Sequence, residues 1–264
     1  MFSLSAQSLT DSLIAFYPFN GNAADMSGNG NNGTVSGATL TTDHLGNANS
    51  AYNFNGTTDY ISFLNNLHFQ PQSFPISICA WIKSNSVSAA GYIFGNDLTS
   101  QSYTGVNMQI NPTGGGVLQI YYGDGGTTGP CCRRSKFSNL NINDNQWHFV
   151  GGVFRGPTDM DIWIDCGYDT GTYNNNGTGT SLFYNGNNGC TGRCQYVSGT
   201  YFYTGIIDEV RLYHRELHQS DFMALYNMMQ NFSLNLGSDT AVCAGDSVVL
   251  NSPYPNTLWS TGAI

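Results

Sequence analysis

From Phe74 to Lys83 the chain alternates without a break. Phe74, Ile76, Ile78, Ala80 and Ile82 interleave with Pro75, Ser77, Cys79, Trp81 and Lys83. A period of two belongs to a strand and sets one row of side chains against a core. Shorter runs of strand character recur at Leu13–Phe19, Tyr60–Phe63, Gly91–Phe94, Val106–Ile110, Val117–Tyr122, Trp147–Phe154, Met160–Ile164 and Tyr201–Tyr213. Gly114-Gly-Gly116 and Gly123-Asp-Gly-Gly126 interrupt them as hairpin joints do. One helix fits the pattern. Phe222, Leu225, Tyr226 and Met229 stand at i, i+3, i+4 and i+7, with Ser220 as the expected N-cap. Many strands and one short C-terminal helix predict an all-β sandwich or barrel.

Composition narrows the partners. Of 264 residues only 8 are Lys or Arg against 17 Asp or Glu, a formal charge of −9. So few cations build neither the basic face that nucleic acid needs nor a patch for anionic lipid. No stretch approaches the roughly 18 apolar residues of a membrane helix, so no membrane insertion is expected. A hydrophobic content of 40% can fill a core, which argues against disorder. Few charges, 32 glycines and 16 tyrosines describe an extracellular β-protein.

Seven cysteines fit an oxidising compartment. Cys79, Cys131, Cys132, Cys166, Cys190 and Cys194 admit three bridges in any of fifteen pairings, which leaves Cys243 odd.

The chain divides into three stretches. Residues 1–9 read as the tail of a secretory signal, with a small-residue cleavage site near Ala6, or as a disordered N-terminal tail. Residues 10–230 carry the strands. Within them Tyr168–Asn188 reads as a long polar excursion over the surface. Residues 231–264 hold two short strands around Ala244-Gly-Asp246 and the start of a third at Leu258. So short a piece falls below the seven or so strands of a sandwich and reads as an incomplete second β domain.

Several motifs occur in order: Leu13-Ile-Ala-Phe-Tyr-Pro-Phe-Asn-Gly-Asn22, Asp25-Met-Ser-Gly-Asn-Gly-Asn-Asn-Gly33, Tyr52-Asn-Phe-Asn-Gly56, Asp59-Tyr-Ile61, Ile78-Cys-Ala-Trp-Ile82, Trp147-His148 and Gly205-Ile-Ile-Asp-Glu-Val-Arg-Leu-Tyr213. Over residues 10–230 this resembles the laminin-G-like, concanavalin A-like jelly-roll family of bacterial secreted proteins. Residues 231–264 resemble the opening of an Ig-like or PKD-like repeat.

The resemblance implies two antiparallel sheets in a jelly roll and a structural calcium ion. It implies that Asp25 and Asp208 share a Ca²⁺, with Asn20 or a backbone oxygen beside them. The plain chemistry of the residues offers another reading. Asp25 then closes its own Asn/Gly loop as an Asx turn, and Asp208 pairs with an arginine.

The same fold hosts lectins, adhesins, glycan-binding modules and glycosidases. Asp159, Asp161 and Asp165 share one face of a strand, as the acids of laminarinase-type glycosidases do. Every Glu of that pattern is missing, so they read as turn and edge carboxylates. Retaining hydrolysis needs two carboxyls about 5–5.5 Å apart. Asp208 and Glu209 point to opposite faces, and Glu209 is expected to pair with Arg211 or Arg215. His44, His68, His148, His214 and His218 form no metal or nucleophile motif, and no G-x-S-x-G elbow is present.

Loop aromatics are the stronger lead. Tyr121, Tyr122, Tyr168, Tyr173, Tyr184, Tyr196, Tyr201 and Tyr203 lie in or beside Gly/Asn-rich segments suited to stacking on a sugar. The expectation is a secreted or cell-surface, non-catalytic binding and adhesion module of a larger multidomain chain. It would recognise carbohydrate or an extracellular protein and be braced by calcium. The alternatives are a laminarinase-like glycoside hydrolase and a structural spacer in an adhesin.

Overall fold

Strand alternation sorts side chains into two facing layers. The computed structural model describes residues 8–64, 69–84, 91–97, 102–111, 115–126, 132–174, 177–196 and 199–228. The chain falls into two units, residues 1–229 and 230–264. The second unit, Met229, most of the expected signal remnant, His68 and Cys131 lie outside the described residues.

Within the first unit the strands are β1 (Leu13–Tyr17), β2 (Gly33–Ser36), β3 (Thr39–Thr41), β4 (Ala51–Asn55), β5 (Tyr60–Phe63), β6 (Ile76–Lys83), β7 (Gly91–Gly95), β8 (Val106–Asn111) and β9 (Val117–Gly123). They continue as β10 (Arg133–Asn141), β11 (Trp147–Gly156), β12 (Asp159–Ile164), β13 (Gly167–Asp169), β14 (Thr172–Tyr173), β15 (Gly189–Thr191), β16 (Arg193–Tyr196), β17 (Gly199–Phe202) and β18 (Thr204–Tyr213). The helix α1 spans Gln219–Met228.

One sheet runs β13-β12-β11-β6-β18-β4-β3, with β1 also paired to β18. The other runs β14-β10-β9-β8-β7-β15-β5-β2, and β16-β17 form a separate hairpin. The pairings are antiparallel, so the expected two-sheet all-β sandwich is the observed fold. The last strand lies beside the first, Leu13 opposite Tyr213 and Tyr17 opposite Val210.

The inner faces meet in one large core. β6 contributes Ile76, Ile78, Ala80 and Ile82, and the opposite sheet contributes Ile61, Phe63, Phe94, Met108 and Ile120. The other row of β6 is buried as well. Cys79 and Trp81 pack with Phe149, Trp163, Phe222 and Leu225 in a second cluster, where α1 covers the outer face of the first sheet. Gly151 makes this approach possible, because a Cβ there would overlap the Phe222 ring. Trp163 stacks on Phe222 at 5.0 Å, and Trp81 on Tyr226 at 5.2 Å. A Phe buried like Phe222 costs about 3–5 kcal/mol to truncate to Ala.

The start of α1 differs from expectation. His218 precedes the helix, and its backbone N–H donates to the Asp221 carboxylate at 2.9 Å. This is the backward half of a capping box, so Ser220 lies inside the first turn instead of capping it. Asp221 also receives both Arg215 nitrogens, at 3.0 and 3.2 Å.

The cysteines differ too. Cys79, Cys166 and Cys190 are thiols, so a three-bridge framework over six cysteines does not form. The reason is placement, since Cys79 packs in the second cluster and Cys190 sits mid-strand in the opposite sheet. Burial pushes the Cys79 and Cys190 thiols up to about 12 and Cys166 to about 11. The stretch from Tyr168 to Asn188 is only partly an excursion. It begins with β13 and β14, which extend the two sheets at their edges.

Candidate functional site

Strand β5 presents Tyr60 and Ser62 outward, while Ile61 and Phe63 enter the core. Beside it, β15 pairs Cys190 with Ser62. At the end of β15 the chain turns at Gly192, whose φ is +86° and whose missing Cβ leaves room for the Phe54 ring. That turn delivers Arg193, whose guanidinium lies 4.3 Å from the centre of the Tyr60 ring. A cleft of about 440 Å³ opens here, lined by Tyr60, Ser62, Asn187, Asn188, Cys190 and Arg193. That volume falls within the usual range of small-ligand sites.

The wall formed by residues 185–188 is fixed from below. Asp97, 2% exposed, accepts the backbone N–H of Asn185 at 2.5 Å and of Asn187 at 2.8 Å. Burial raises the Asp97 pKa, and these N–H donors pull it back. Gln70 donates to the carbonyls of Asn96 and Asn187 at 3.1 and 2.8 Å. Asn96 in turn donates to the Tyr184 hydroxyl at 3.1 Å. Gly189 is required, since a Cβ there would overlap the Phe69 ring. The cleft is therefore built in advance, with side-chain amides, a hydroxyl, an aromatic ring and one cation converging on it.

Most of the expected tyrosines serve the interior. Tyr122 and Tyr203 are fully buried and Tyr121 is 3% exposed. The Tyr122 hydroxyl donates to the Gly179 carbonyl at 2.8 Å, and Tyr173 accepts from the Met160 N–H at 2.7 Å. Tyr184 and Tyr201 are half-buried, and the Tyr196 side chain lies outside the described residues. Tyr168 is the exposed one, at 51%, edge-on to Trp163. Tyr60, Ser62, Asn187 and Arg193 were not expected. The available signal was an aromatic at the outward register of a short strand, together with one of only eight cations.

Asp25 and Asp208, expected to hold a metal, are each held by hydrogen bonds. Asp25 Oδ1 accepts the N–H of Phe16 at 3.0 Å and of Ser27 at 2.9 Å. Its Oδ2 accepts the Ser27 hydroxyl at 2.9 Å and the Asn31 N–H at 2.8 Å. Asp208 accepts the Glu209 N–H at 2.7 Å and faces His44 at 3.5 Å. Asn20 is exposed in a separate turn. Calcium takes six to eight free oxygen ligands at about 2.3–2.6 Å. The Asp25 oxygens each take two N–H or O–H donors, which fits that demand poorly. Asp25 forms the expected Asx turn, and Asp208 meets a histidine where an arginine was the other expectation. Among the described residues no group of three or more His, Cys, Asp or Glu is placed to hold a metal.

The strand carboxylates are also engaged. Arg155 binds Asp159 at 2.8 Å, Asp161 at 2.7 Å and Glu216 at 2.9 Å. Asp165 binds His148 at 2.7 Å, and Glu209 binds Arg211 at 2.7 Å as expected.

A family profile described as the concanavalin A-like lectin/glucanases superfamily, Laminin_G_3, matches residues 55–221, more than half of the chain. The chain belongs to the concanavalin A-like lectin/glucanases superfamily. No curated protein matches the sequence.

Solved structures share the fold at low identity. The binding domain of Paraclostridial Mosquitocidal Protein 1 is 16% identical, with a TM-score of 0.60 over 84% of this chain and 53% of that one. Domain 4 of AbnA, an extracellular GH43 arabinanase of Geobacillus stearothermophilus solved with arabinotriose, is 18% identical. Its TM-score is 0.58 over 81% of this chain and 98% of that one. The botulinum neurotoxin DC binding domain, solved with rat synaptotagmin II, is 16% identical, with a TM-score of 0.60 over 85% and 53%. The chain thus spans about half the length of the toxin binding domains and nearly all of the arabinanase domain. Among the described residues no helix of this superfamily member is long and apolar enough to cross a membrane.

Proposed function

We propose that this protein is a non-catalytic, extracellular carbohydrate-binding module whose ligand sits in the Tyr60–Arg193 cleft. The observation that carries the reading is the fixed wall. Asp97 and Gln70 hold residues 185–188 in place before any ligand arrives, so the ordering cost of binding is small. Asn187, Asn188 and Ser62 give the lining a polar character suited to sugar hydroxyls, and Tyr60 offers an apolar edge.

The saccharide-bound arabinanase domain of the same fold supports this reading, and so does the recurrence of binding domains among the similar structures. The engagement of Asp159, Asp161 and Asp165 with Arg155 and His148 speaks against a glycosidase, which needs one free carboxylate and one free acid.

A glycan array on the intact chain tests it. Hits that vanish in Tyr60→Ala and Asn187→Ala are expected. An array with no hits overturns the reading, and released reducing ends would replace it with the hydrolase alternative.

A further inference from the structure

We propose that the saccharide held in this cleft carries a carboxylate, and that Arg193 is the residue that binds it. The inference rests on the carbohydrate reading above and narrows its ligand class.

Arg193 differs from the three arginines that are paired with carboxylates. Arg155 meets three carboxylates, Arg211 meets Glu209 at 2.7 Å, and Arg215 meets Asp221 at 3.0 Å. Among the described residues no carboxylate stands within ion-pair reach of Arg193. Its Nε, like that of Arg134, is closed off from solvent without an acceptor among the described residues, so any ligand contact falls to its terminal nitrogens. Shortage of acids is not the cause, since the chain carries 17 acidic residues against 8 basic ones.

The orientation specifies the partner. The guanidinium carbon lies 4.3 Å from the Tyr60 ring centre, a cation–π contact that uses up no N–H donor. A planar carboxylate accepts such a fork with two parallel hydrogen bonds. Arg193 is also the one charged group lining the cleft. Ser62, Asn187 and Asn188 are neutral, and burial pushes the Cys190 thiol up to about 12. Among the lining residues no other charged group competes for a ligand carboxylate.

The test uses matched ligands that differ only in charge. Calorimetry on the intact chain compares an oligogalacturonide with its methyl ester, and sialyllactose with lactose. In at least one pair the acid member is expected to bind about ten- to a hundredfold tighter. In Arg193→Gln that ratio is expected to fall to about one, and Arg193→Lys retains only part of it, because a single ammonium lacks the fork. Circular dichroism checks that the variants fold, and the wild-type ratio stands without them. Equal binding of acid and ester in the wild type overturns the carboxylate inference and leaves the carbohydrate reading intact. So does a preference that survives Arg193→Gln, or binding confined to sulfated glycans. Binding of acidic peptides with no saccharide bound, or no binding of any probe, overturns both.

Discussion

The carboxylate of Asp208 lies 3.5 Å from Nδ1 of His44, with 2% and 4% of the two side chains exposed. The His44 ring stacks on Trp81 at 4.1 Å, so the pair closes one side of the aromatic cluster under α1. Burial is the main reason that the Asp208 pKa rises to about 7, and Glu209 adds to the rise while His44 opposes it. A carboxyl whose pKa is raised in the folded state stabilises the fold when protonated. That contribution is complete below the ordinary carboxylate pKa of about 4 and is lost as pH rises through about 7. Urea unfolding at intervals from pH 4.5 to 8 is expected to show stability falling through this window. In Asp208→Asn the slope flattens. A variant profile parallel to the wild type would refute the assignment.

His148 acts in the same direction on a smaller scale. Its Nδ1 meets Asp165 at 2.7 Å and its Nε2 meets Asp144 at 3.1 Å, tying the turn before β11 to the turn after β12. The hydrogen bond to Asp165 is the leading cause of its raised pKa. The stabilisation is full below the unfolded value of about 6.5 and disappears as pH rises past the higher folded value. Both carboxylates are substantially exposed, so His148→Gln is expected to cost no more than about 1 kcal/mol at pH 5.5. At pH 8.5 it should cost less. Thermal melts at the two pH values decide it, and equal shifts would contradict the clamp.

Asp97 gives a prediction that separates site from scaffold. In Asp97→Ala the N–H groups of Asn185 and Asn187 lose their acceptor, a cost of about 1–3 kcal/mol. Amide exchange at residues 185 and 187 should quicken markedly while the central strand β6 remains protected. Saccharide affinity should fall with it. Unchanged exchange at these two amides would show that Asp97 does not hold the wall.

The Asp25 turn yields a prediction about calcium. Since both of its oxygens are filled by hydrogen donors, melting temperatures in Ca²⁺ and in EDTA are expected to coincide. Asp25→Ala should lower both equally, by the loss of backbone hydrogen bonds. A calcium-dependent rise in the wild type that Asp25→Ala removes would reinstate the metal.

The architecture was legible because it rests on local periodicity. The alternation of β6, the hairpin that sets Asn111 opposite Val117, and the apolar spacing of Phe222 and Leu225 are each written in a short window. Short edge strands such as β2 and β3 were not, because three or four half-buried or exposed residues are too few to display an alternation. Nor was the burial of Cys79 and Trp81 on the second face of β6, which depends on where a helix far along the sequence comes to rest. The cleft was the least legible part. Tyr60, Asn187 and Arg193 are brought together by sheet pairing across more than a hundred residues. Tyrosines such as Tyr122 and Tyr203, whose glycine-rich neighbours suggested loops, turned inward to fill the core.

The pairing of β1 with β18 has a mechanical meaning. The incoming end of the first strand, at Leu13, and the outgoing end of the last, at Tyr213, leave from the same end of one antiparallel ladder. Tension drawn between the two flanks of this unit therefore opens that ladder like a zipper, one bond after another, instead of shearing all of them together. Once α1 has peeled away, a module tethered through both flanks would yield at low force and act as a compliant link.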